Sequence, residues 1–256
     1  MSKPWFAESS LARTSMLHFA AARLGPRESL DDDQTVADII DAWSRKLEAH
    51  EDYAERVSDA LVQTRVSTER LDLIVKLLSH GECLESARSA GVAGPDHVAF
   101  LLEAHHMRLS GVFDRVLAVL DTVLCLWNHP KNCTRNNIMQ NLMVRSSSAI
   151  KPVGRLQSLV DKSRDLRDAL THRRSYSDDD LQMLWHAEVV PASPVERFIE
   201  EQGLTLASYV EQRVSELEDT NRKVDRLVLE SVDELVDDYT RKYEELKFGA
   251  SLGRAS

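Results

Sequence analysis

Apolar side chains recur along this chain at helical spacings, in stretches long enough to predict an all-α protein. Residues 7–24 carry Leu11, Met16, Leu17, Phe19, Ala20 and Leu24, and Gly25-Pro26 stops the helix they predict. Ser29 and the acidic run Asp31-Asp32-Asp33 supply a helix start. The pattern then continues through Val36, Ile39, Ile40, Trp43, Leu47, Tyr53, Val57, Leu61 and Val62, a bent helical stretch reaching about Ser79. Residues 81–94 read as a short helix or loop, and Pro95 sits where the first turn of a new helix accepts it.

Residues 96–127 form the most apolar pattern, with Phe100, Leu101, Leu109, Phe113, Val116, Leu117, Leu120, Val123, Leu124 and Trp127 on the inward face of a central helix. His106 lies on that arc and His105 at its edge. Neighbouring helical residues point about 100° apart, so the pair reads as structural rather than metal-binding. Asp114 and Asp121 share one flank, where they are either solvated or, as the preferred expectation, hold Arg164 or Arg167. A turn around His129-Pro130 precedes a shorter helix with Ile138, Leu142 and Met143, and Pro152 marks the next helix start.

Further on, Ser177-Asp178-Asp179-Asp180 reads as a cap and acidic first turn for a helix through Leu181, Leu184 and Trp185. Ser193-Pro194-Val195-Glu196 has the form of a capping box, and Gly203 ends that brief helix. Residues 206–247 predict one long helix. Val210, Val214, Leu217, Asn221, Val224 and Val228 form a seam of alternating four- and three-residue steps, until Val232 departs from the heptad. Asn221 in such a seam fixes register between two strands of a coiled coil; alternatively the helix folds back on its own bundle.

Composition narrows the class. Only 9 Gly and 7 Pro among 256 residues, with 43% hydrophobic residues, describe a helix-rich chain that can bury a core. A net charge of −10 argues against general affinity for nucleic acid, and DNA is not expected as a partner. Cys83, Cys125 and Cys133 show no metal or disulfide spacing and read as small buried hydrophobes in a reducing compartment. The opening residues lack the apolar stretch of a signal peptide. The longest apolar run, 116–127, is broken by Asp121 and falls short of the about 20 residues that span a bilayer, so the expected location is cytoplasmic.

Basic and titratable side chains crowd together in one place, from Arg164 to Arg174. Leu156, Leu159, Val160, Leu166 and Leu170 make one apolar stripe, and Arg167 falls inside it. A core-covering stem with an outward guanidinium would explain this arginine without any function. The run Arg167-Asp168-Ala169-Leu170-Thr171-His172 resembles the signature of the HEPN superfamily, helical bundles whose site is an arginine, a polar residue, further residues and a histidine. The match covers roughly residues 95–190. Family members most commonly carry asparagine where this chain has Asp168.

The resemblance implies a HEPN-type bundle at 93–190, flanked by an N-terminal helical region at 1–92 and a C-terminal long helix with a short tail at 191–256. It implies metal-independent RNA cleavage, with Arg167 and His172 catalytic and Arg164, Asp168, Thr171, Arg173 and Arg174 around the substrate. No metal or other cofactor is expected. In the family two copies pair to line one cleft, so a homodimer is expected. The alternatives are a module that binds RNA or a nucleotide without cutting it, and a helical scaffold or regulator.

Overall fold

The computed structural model describes residues 3–24, 46–126, 134–162, 178–190 and 194–252, and every regular element among them is an α-helix. The chain opens with α1 (Pro4–Glu8) and α2 (Ser10–Leu24), then α3 (Ala49–Ser79), α4 (Gly81–Ser89) and α5 (Gly94–Val123). Next come α6 (Arg135–Gln140), α7 (Leu142–Ser146), α8 (Ile150–Asp161), α9 (Asp179–Val189) and α10 (Pro194–Gln202). The last are α11 (Leu206–Asp233) and α12 (Val236–Leu252).

Local chemistry sets many of these ends. Pro95 lies in the first turn of α5, where its missing N–H costs no helical bond. Thr134 caps α6 by accepting from Asn137 N–H, and Asn141 separates α6 from α7 by accepting from Met143 N–H. That cap is why the expected single helix here is two. Gly203 takes φ +63° at the end of α10, a conformation that favours glycine. Cys125 takes φ +50° just past α5.

The described chain falls into two compact units that interleave in sequence: residues 1–65, 114–155 and 226–256, and residues 66–113 and 156–225. In the first, Trp5, Leu11, Tyr53, Leu61, Leu120, Ile138, Val153, Val228 and Tyr239 are buried. The Tyr53 ring stacks on Tyr239 at 5.3 Å between centroids, and its hydroxyl donates to Val123 O at 2.8 Å. Asp233 Oδ1 accepts from Ser9 Oγ and Ser10 N–H, both at 2.8 Å, which fastens the start of α2. In the second unit, Ile74, Val75, Leu78, Val98, Leu101, Leu102, Leu181, Leu184, Ile199, Tyr209 and Leu217 form one apolar cluster.

Some expectations need correction. The predicted helix over 206–247 is two, joined by a tightened turn in which Leu235 N–H bonds to Val232 O; the departure from the heptad at Val232 marks that place. Phe100, expected inside, is 64% exposed. Cys83 and Cys125 are free and only partly buried. The turn at His129-Pro130, Trp127 and Cys133 lie outside the described residues. No helix among the described residues is long and apolar enough to cross a membrane.

Candidate functional site

Arg164, Arg167, Asp168, Thr171, His172, Arg173 and Arg174 all lie in 163–177, outside the described residues. What is described is how the chain arrives at that segment and leaves it. It arrives through α8, whose Leu156 and Val160 are buried. It leaves at Asp178, whose carboxylate has three partners among the described residues of the same unit. Oδ1 caps α9 by accepting from Leu181 N–H at 2.8 Å. Oδ2 accepts from Tyr209 Oη at 2.6 Å and from Arg213 Nη2 at 2.8 Å, both on α11. The Arg213 guanidinium also lies 4.9 Å over the Tyr209 ring and pairs with Glu216 at 2.7 Å. The acidic start of this helix was legible from its sequence; the residues that hold Asp178 were not, because they stand 31 and 35 positions away.

Asp114 faces Arg135 at 3.6 Å, while its expected partners Arg164 and Arg167 lie outside the described residues. Glu188 of α9 gathers Arg88 Nη2 and Gly94 N–H, each at 2.8 Å. Burial alone pushes its carboxyl up, but these donors outweigh that and hold it below the usual range.

A buried polar chain runs across three helices of the same unit. His105 on α5 is fully buried, and its Nε2 lies 2.9 Å from Asn221 Oδ1 on α11. Asn221 Nδ2 donates to Asp72 Oδ1 on α3 at 3.0 Å. A carboxylate only accepts, so the amide nitrogen must face Asp72 and the amide oxygen must face His105. His105 therefore carries its proton on Nε2. Its Nδ1 is buried without a hydrogen-bond partner among the described residues. Burial lowers the His105 pKa, against the opposing pull of the Asn221 bond and the Asp72 charge. Burial pushes His106 down to about 4, helped by His105 and by Arg213.

These contacts settle the seam's surroundings. Leu217, Asn221, Val224 and Val228 are covered within their own chain, and Asn221 spends both polar groups on intrachain partners. Of the histidine pair, His105 at the edge of the arc is the more deeply buried, the reverse of the helical-wheel expectation.

Cavities open in each unit. One of about 460 Å³ in the first unit is lined by Ser146, Ser147, Ser148, Asp233, Glu234, Asp237, Asp238 and Arg241, a carboxylate-rich wall that repels phosphate. Another, about 330 Å³ in the second unit, is apolar, lined by Leu77, Leu78, Leu84, Val98, Val210 and Val214. No protein-family model matches the chain, and no curated protein or solved structure matches it.

Proposed function

We propose that this chain is a HEPN-like protein that acts on RNA through Arg167 and His172, as a metal-independent endoribonuclease. The observation that carries the reading is the arginine, four residues and histidine at 167–172, in a segment tethered at both ends to one all-α unit. Val160 anchors the incoming side, and Asp178 with Leu181 the outgoing side. The substrate's own 2′-hydroxyl attacks the adjacent phosphate and displaces the 5′-oxygen of the next nucleotide, which leaves as a hydroxyl and a 2′,3′-cyclic phosphate remains. His172, the side chain that titrates near neutral pH, moves the proton; Arg167, always charged and able to hold two phosphate oxygens, stabilises the charge that grows there. In an unbroken helix the two side chains point about 140° apart, so a second copy or a helix break brings them together.

Asp168 and the net charge of −10 favour a second reading, in which the same residues bind RNA or a nucleotide without cutting it. Induction of the wild type beside His172→Ala in cells separates the two. Degraded RNA with the wild type alone supports cleavage. Intact RNA in both, together with salt-sensitive RNA binding that Arg167→Ala removes, supports the binding module. Intact RNA and no binding in either would refute both.

A further inference from the structure

The His105–Asn221–Asp72 chain has a direction, and the direction makes it sensitive to acid. Asp72 sets the orientation of the Asn221 amide, and the amide sets the tautomer of His105. The one site on His105 that can take another proton is Nδ1, which has no acceptor facing it among the described residues. Protonation there places a cation with an unpaired donor at zero exposure, an arrangement a buried site does not tolerate. The charges around it offer little relief. From α3 comes the Asp72 carboxylate, one amide removed. From α5 comes His106, a half-buried imidazole that gains positive charge in acid. From α11 comes Arg213, permanently positive, which acts on His106 and has its own carboxylate partners Asp178 and Glu216.

We propose that this chain is an acid-sensitive latch: α11 opens from α3 and α5 within this unit, and protonation of His105 in the opened state shifts that equilibrium toward opening. The proton comes from solvent and goes to Nδ1 once α11 has opened. Its entry leaves the Nε2–H in place and holds α11 open, because an imidazolium reached by water is more stable outside than in. Asn221 is thus the pivot, being the only one of the three that bonds to both others. The latch is independent of whether the chain acts on RNA.

The test is amide hydrogen exchange of residues 217–224 in the full chain from pH 7 to pH 5, corrected for the intrinsic pH dependence of exchange. One proton taken up on opening makes the opening constant rise about tenfold per pH unit below 6.5, so His105 alone gives roughly thirtyfold by pH 5. His105→Gln keeps an N–H for Asn221 but cannot take the proton, and it removes that factor. Equal pH responses in wild type and variant would overturn the latch. Should the variant not fold, imidazole nitrogen NMR of the wild type decides. The latch gives the Nε2–H form at pH 7 and no His105 titration until the α11 amides exchange; a His105 that titrates near pH 6.5 while those amides stay protected contradicts it.

Discussion

Replacing Asn221 with leucine distinguishes sharply between two fates of the seam on α11. In a two-stranded coiled coil a polar residue at a seam position lowers stability in exchange for register, so leucine there strengthens association. In the structure Asn221 is 5% exposed and bonds to His105 and Asp72 in its own chain. Leucine removes the acceptor of a buried imidazole N–H, which costs about 1–3 kcal/mol as an unsatisfied donor. It also removes a donor to the Asp72 carboxylate, a charge-assisted bond contributing about 1.5–3 kcal/mol. The added apolar contact offsets part of this, leaving an expected net loss of about 2–4 kcal/mol. At about 2–4 °C per kcal/mol for a chain of this size, the melting temperature falls by roughly 10 °C. Urea unfolding at two protein concentrations, with light scattering, is the assay. A variant that melts higher, with a concentration-dependent midpoint and a heavier mass, would refute the intrachain reading.

Three further outcomes follow from the same geometry. Asp178→Ala loses the α9 cap and the partner of Tyr209 and Arg213, and urea unfolding should show a loss of about 2–4 kcal/mol, with Asp178→Asn milder. His106, held down to about 4 chiefly by burial, is neutral when folded but protonated below 6.5 when unfolded. Its contribution is therefore full above pH 6.5 and lost as pH falls toward 4, about 3 kcal/mol in all, and His106→Leu flattens that part of the stability–pH curve. Gly203→Ala forces a side chain into φ +63° and should lower stability by about 1 kcal/mol in thermal unfolding, where a neutral result would contradict the backbone argument.

Features of the fold that depend on neighbours in sequence were legible in the chain. Pro95 at the start of α5, Asp178 ahead of α9 and Gly203 after α10 are short-range signals, and each falls where its spacing placed it. Features that depend on distant partners were not. The heptad steps around Asn221 suit a partner helix from another chain as well as one from the same chain, and only contacts with His105, 116 positions away, and Asp72, 149 positions away, distinguish the two. Periodicity also misplaced Phe100, because α5 is covered on a wide arc where Val98, Leu102, Val112 and Val119 take the inner places. The break at 234–235 left only the departure at Val232 as its trace. Of the candidate site, the sequence names its residues and the structure describes its two anchors.

Purified full-length protein incubated with single-stranded RNA in excess EDTA tests the role of Arg167 and His172 most directly. The wild type should cut, leaving 2′,3′-cyclic phosphate ends as attack by the substrate's own hydroxyl requires, while Arg167→Ala and His172→Ala each fall by at least a hundredfold with unchanged melting temperature. Intact RNA with the wild type, or cutting that survives both substitutions, would contradict it.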